Sequence, residues 1–291
     1  MSLIIQVGNH NYNLNYYKTD TNMKAHRIIV WILFAFLAYY LIAPTLSIWI
    51  SLPDFGIGNI GFTILFTAFS ISHAGYMLGW KRTLIFFLLS ASISWIYEQI
   101  GVATGMIYGS YHYSDMLGYK LGHVPILIPL AWFMMIYPAW CVGGALLGAT
   151  MDEHNWKLII ARAWVAAMVA TMWDTVMDPG MAAAGNWVWH DSGSYFGVPF
   201  QNYFGWVLTT FTIYLVTNFS FRILKENKLS TTSKQMFVLP VVVYTLYTLV
   251  YLSPRADESL NALRVVAAFT MGFAGTLAIL RILLNKYAHS R

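Results

Sequence analysis

The 291-residue sequence is poor in charge and almost devoid of cysteine. Its one cysteine, Cys141, lies in an apolar run, which excludes an intrachain disulfide and any cysteine-based metal site. The eight histidines follow no spacing that would build a zinc centre, so no metal is expected. Charged residues make up only 10% of the chain, where a soluble domain carries roughly a quarter. That shortage excludes an ordinary water-soluble globule.

What fills the chain instead is apolar. Hydrophobic residues reach 58%, and the mean hydropathy is +0.57. Runs of about 20 apolar residues, long enough to cross ~30 Å of hydrocarbon as helices, recur eight times. They fall near 28–50, 59–79, 83–107, 123–149, 158–183, 200–221, 236–252 and 263–284. Lipid offers the backbone no hydrogen-bond partners, so such runs are expected to be helical. The fold class is therefore all-α, a polytopic membrane helix bundle of about eight transmembrane helices. A polar segment over 1–23 is expected to be flexible, and 24–291 to form a single transmembrane domain. The first apolar run is too long for a cleaved signal and lacks a small-residue cleavage site, so it reads as an anchor.

The cations predict orientation. With the N-terminus inside, fourteen of the 17 lysines and arginines fall on the inner side, and only Lys120, Arg255 and Arg264 fall outside. The positive-inside rule then places both termini in the cytoplasm, with the chain in the cytoplasmic membrane. Contact with anionic lipid accounts for the isoelectric point near 9.1, so no nucleic-acid partner is expected. The inner loops at Asp152 to His154 and around Lys225 to Lys234 read as solvated or lipid-facing connections.

The chain also reads as a repeat. Tyr111 and Tyr113 follow Glu98 at the same offsets at which Trp187 and Trp189 follow Asp174. "GHVP" (Gly122 to Pro125) then matches "GVP" (Gly197 to Pro199), and seven residues past each proline stands Trp132 or Trp206. Two parallel two-helix units, about 83–149 and 158–221, would be related by an axis along the membrane normal. Glu98 and Asp174 would then lie at similar depth on facing helices. Asp178 sits one turn beyond Asp174 on the same face, and Pro179 predicts an end or kink of the helix there. An acid inside the bilayer costs roughly 2.5–3.5 kcal/mol on insertion scales, which points to function. Cross-bundle hydrogen bonding of these acids by Gln99, Asn186, Asn202 or a tyrosine is the structural alternative. For the rings, interfacial anchoring is the alternative, and it suits Trp31, Trp49, Tyr76 and Trp80.

A protonated carboxyl in an apolar, ring-lined pocket can act as an acid, and the rings can stabilise a passing cation by about 2 kcal/mol once water is excluded. A second carboxyl can take a proton from water. That set suits protonation of an electron-rich alkene followed by water capture.

Glu98, "YGSYHY" (Tyr108 to Tyr113), "GHVPILIPLAWF" (Gly122 to Phe133), "WDTVMDP" (Trp173 to Pro179), "GNWVW" (Gly185 to Trp189) and "GSYFGVPFQNYFGW" (Gly193 to Trp206) together resemble the carotenoid biosynthesis membrane proteins. That family includes the bisanhydrobacterioruberin hydratases of archaea and carotenoid hydratases of bacteria. The resemblance covers roughly 60–285 and is densest over 95–206. It implies water addition to a terminal C=C of an acyclic carotenoid without a cofactor, with water and membrane lipid as the other partners. It also allows association with further membrane enzymes of that pathway. On our reading of the residues, Glu98 and Asp174 form the acid and base pair in unassigned order, supported by Asp178. Tyr108, Tyr111, Tyr113, Trp132, Trp187, Trp189 and Trp206 would line the substrate, and Asn202 and His112 are candidates to hold the water. Two rivals remain open. "DTVMD" (Asp174 to Asp178) resembles one half of an intramembrane prenyltransferase site, although a second acidic motif is missing. A carotenoid or lipid carrier without catalysis is the other. A retinal protein is excluded because no lysine lies mid-span.

Overall fold

The computed structural model describes residues 4–7, 10–148, 155–224, 234–253 and 257–288, with side chains over 22–148, 155–224, 235–253 and 257–284. The inner loop at Asp152 to His154, residues 225–233 of the basic hairpin, and Arg255 lie outside the described residues. So do the side chains of most of the polar head. Its backbone carries a hairpin, β1 (Ile4–Val7) and β2 (His10–Asn13), and then enters α1 (Leu14–Leu46).

Among the described residues, eight helices are long and apolar enough to cross a membrane. They are α1, α2 (Gly58–Leu78), α3 (Trp80–Thr104), α4 (Leu127–Leu147), α5 (Trp156–Ala183), α6 (Phe200–Ile223), α7 (Lys234–Leu252) and a last span over Glu258–Leu284. That last span contains α8 (Leu263–Ala267), a π-helical turn (Ala268–Gly272) and the start of α9 (Phe273–Ala288). The protein is an integral membrane protein. Its surface and interior follow from that: Ile28, Phe36, Leu84, Phe204 and Phe219 are exposed, whereas Ser70, His73, Ser90, Glu98, Asp174 and Thr209 are buried. Apolar side chains facing lipid cost nothing, while polar groups must find partners inside.

Helices α3, α4, α5 and α6 form a closed ring, each packing on the next, with α6 returning to α3. Helix α4 is the centre of the molecule. Every residue from Trp132 to Ala145 is buried, because α2 and α7 cover its other side and α1 backs those two. Close approach needs small residues, and a Cβ on Gly143 would stand 3.0 Å from the backbone N of Ala166 on α5. Arg162, grouped by the sequence with the inner cations, is instead buried within α5, its guanidinium 3.5 Å from the Trp140 ring.

Prolines inside helices free carbonyls one turn back, and here three such carbonyls meet donors from elsewhere. Pro138 in α4 frees Met134 O, which accepts from Ser70 Oγ at 3.1 Å. Pro240 in α7 frees Met236 O, which accepts from His73 Nε2 at 2.7 Å. That donation leaves His73 Nδ1 as the acceptor for the Tyr137 hydroxyl at 2.7 Å. Pro179 in α5 frees Thr175 O, which accepts from Tyr195 Oη at 3.1 Å. Of the end or kink expected at Pro179, the end does not occur, and α5 continues to Ala183.

Helix α3 ends at Gly105, whose φ of 69° is left-handed and whose N–H returns to Gly101 O at 2.7 Å. The run expected to be helical from residue 123 starts at Leu127, because Val124–Pro125 (β5) pairs with Lys120–Leu121 (β4). Between these ends, Tyr108 is wedged in the α3–α6 seam. A Cβ on Gly101 would stand 2.6 Å from one edge of its ring, and one on Gly205 would stand 2.5 Å from the other.

Two outcomes test this packing in detergent-solubilised protein. Ser70→Ala should lower unfolding stability by about 0.6 kcal/mol, and by less in a Pro138→Ala background, where the α4 backbone supplies its own donor. Gly101→Ala should cost about 1–3 kcal/mol by overpacking against the Tyr108 ring, and Tyr108→Ala in the same chain should relieve the clash.

Candidate active site

The chain reversals after α3 and α5 bring β3 (Tyr111–Tyr113) and β6 (Trp187–Trp189) together as an antiparallel pair. Tyr111 stands opposite Trp189 and Tyr113 opposite Trp187. Side chains alternate across a strand, so these four rings point down into the bundle while His112 and Val188 point away and are exposed. Beneath them lies a chamber of roughly 860 Å³, counting the part open at its mouth. Trp132 and Trp206 stack at 3.9 Å between centroids on one wall, and Trp173 meets Trp206 edge-on at 5.7 Å.

All three sequence-predicted acids line this chamber and are nearly inaccessible. Glu98 comes from α3, about two turns before Gly105. Its Oε2 accepts from the hydroxyls of Tyr111 and, at 2.8 Å, Tyr113; its Oε1 accepts from Trp132 Nε1 at 3.0 Å. Asp174 and Asp178 come from successive turns of α5. Asn202, at the start of α6, donates its Nδ2 to Asp174 Oδ2 and Asp178 Oδ2, both at 2.7 Å. Asp178 Oδ1 accepts from Trp187 Nε1 at 2.5 Å. Asp174 Oδ1 is buried and has no hydrogen-bond partner.

Burial, and then the charge of Glu98, hold the phenols of Tyr108, Tyr111 and Tyr113 well above the ordinary tyrosine range. These rings therefore stay neutral and act as hydrogen-bond donors. Tyr108 is steadied by Thr209, hydroxyl to hydroxyl at 2.7 Å.

Of the predicted site residues, Tyr108, Tyr111, Tyr113, Trp132, Trp187, Trp189, Trp206 and Asn202 share the chamber with the three acids. His112 does not. It pairs with His190 on the far face of the strands, Nδ1 to Nε2 at 2.7 Å, and His190 Nδ1 meets Ser110 Oγ at 2.9 Å. Of the two readings of Asn202, water holder or partner of the acids, its amide takes up the second and clamps two carboxylates. Asp178 is buried like the other two acids, only 2% exposed. Sequence reasoning missed the lining residues Trp173, Tyr247, Asn59, Phe62, Met177 and Met181. Trp173 was available as the neighbour of Asp174, whereas nothing in span seven singles out Tyr247. The chamber lining includes no lysine or arginine among the described residues.

Comparison with known proteins agrees with this architecture. A family model described as "Carotenoid biosynthesis protein" matches residues 58–274, a stretch that spans α2 to α9 and contains every residue of the chamber. A bisanhydrobacterioruberin hydratase of Haloarcula japonica is 34% identical over 125 residues, which cover 43% of this chain and 41% of the relative. The matched stretch thus spans less than half the length of that curated relative. No solved structure matches. With three quarters of its length under the family model and its acids gathered in one ring-walled chamber, the chain belongs to the carotenoid biosynthesis protein family.

Proposed function

We propose that this protein is a carotenoid hydratase, adding water across a terminal C=C of an acyclic C40 or C50 carotenoid without a cofactor. The observation that carries this reading is the convergence of Glu98, Asp174 and Asp178 on one chamber walled by tyrosine and tryptophan rings. A hydratase needs a proton source, a cation shelter and a proton acceptor for the incoming water. Carboxyls placed as acid and base contribute about 10²–10⁴-fold each, and desolvated rings stabilise a tertiary cation by about 2 kcal/mol. Glu98 and Asp174 form the acid and base pair, with Asp178 supporting Asp174 through the shared Asn202 amide.

The apolar substrate enters sideways from lipid, through the mouth between α2 and the end of α5 where Phe62, Met177 and Met181 are half-buried. The relative from Haloarcula japonica is named for hydration of a carotenoid, which supports the same chemistry here. A prenyltransferase reading has less support, because a diphosphate would meet no cation in the chamber lining among the described residues. The twofold relation between the two units is supported by the β3–β6 pairing, whose register is unchanged when the strands are exchanged. The cation count supports an orientation in the cytoplasmic membrane with the β3–β6 end outside and both termini inside.

Expression in a strain making acyclic carotenoids should yield products heavier by one or two waters. Glu98→Gln and Asp174→Asn should each abolish those products while the protein remains in the membrane. Full activity in both variants overturns the pair.

A further inference from the structure

The hydrogen bonds around the three acids are unequal, and the inequality separates their roles. Glu98 receives three donors, two phenols on Oε2 and one indole on Oε1. An ionised carboxylate is an acceptor only, with about four lone-pair sites. Three are filled here, so one site on Oε1 is left for the O–H of a water. Asp174 is the reverse case. Asn202 holds its Oδ2 at 2.7 Å and holds Asp178 Oδ2 equally close, while Asp174 Oδ1 has no partner at all. A buried polar atom without a hydrogen bond is costly, and this one lies on an acid that lines the chamber. A proton on Oδ1 would find no protein acceptor there, so it can go only to what enters the chamber.

Resting on the hydratase reading, we propose that Asp174 Oδ1 is the atom that protonates the substrate and that Glu98 is the base that receives the proton of the attacking water. The Oδ1–H bond breaks as a C–H bond forms at the less substituted alkene carbon, and the π pair leaves a tertiary cation at its neighbour. Water oxygen then bonds to the cation, and one of its protons passes to Glu98 Oε1. Return of that proton to Asp174 through solvent resets the site, with no change of oxidation state. Asn202, held in turn by Asp178 Oδ2, keeps Oδ2 of Asp174 occupied and leaves Oδ1 free for the substrate.

Deuterium separates the two steps. Membranes carrying the full-length chain are incubated in D2O with an acyclic C40 carotene, and product and recovered substrate are analysed by mass spectrometry. Wild-type protein should form hydrate carrying deuterium on carbon. Glu98→Gln should form no hydrate, yet its recovered substrate should gain deuterium, because protonation and loss of a proton still cycle. Asp174→Asn should reduce that exchange by about 10²–10⁴-fold. Asp174→Glu, which keeps a carboxyl in place, should restore part of it. The assignment is overturned if Asp174→Asn exchanges normally, if Glu98→Gln fails to exchange, or if a correctly folded Asp174→Glu chain shows no exchange. Wild-type membranes yielding neither hydrate nor exchanged substrate would instead overturn the hydratase reading itself.

Discussion

A hydrocarbon environment gives a polar atom nothing to bond with, so each buried donor and acceptor must be matched inside the bundle. That constraint explains features that otherwise look unrelated. Prolines within α4, α5 and α7 would leave carbonyls bare, and Ser70, Tyr195 and His73 reach across from other segments to meet them. Each such contact ties a local irregularity to a tertiary partner. The irregular helices are thereby tolerated only in this one arrangement of the bundle.

The same requirement shapes the chamber. Three carboxyls sit among rings, four of which spend a hydroxyl or indole N–H on them, Tyr111, Tyr113 and Trp132 on Glu98 and Trp187 on Asp178. The rings thus serve twice, presenting faces to the cavity and donors to the acids. One oxygen, on Asp174, is left out of this matching. In a structure that satisfies its other chamber carboxylate oxygens, that exception marks where chemistry rather than stability governs the geometry.

The correspondence between the two units is not carried through to these bonds. Tyr111 and Tyr113 reach the acid from which their offset was counted, whereas Trp187 bonds Asp178 and not Asp174. Indoles are larger and donate from a different edge than phenols, so the same backbone offset delivers the hydrogen bond one helical turn away. Asn202 then joins the two aspartates into a unit that Glu98 does not match.

The membrane class and the eight spans were legible in the sequence, and Glu98, Asp174, Asp178, Asn202 and the seven aromatic rings it singled out line one chamber. Hydropathy over about 20 residues and offsets along the chain are one-dimensional quantities, and lipid enforces them directly. The facing of His112, the continuation of α5 past Pro179, the burial of Arg162 and the inclusion of Tyr247 were decided only by the fold. Each depends on which strand face or which distant helix lies opposite, as His190 does for His112, Tyr195 for Pro179 and Trp140 for Arg162. Such partners stand tens of residues away, and only packing in three dimensions selects them.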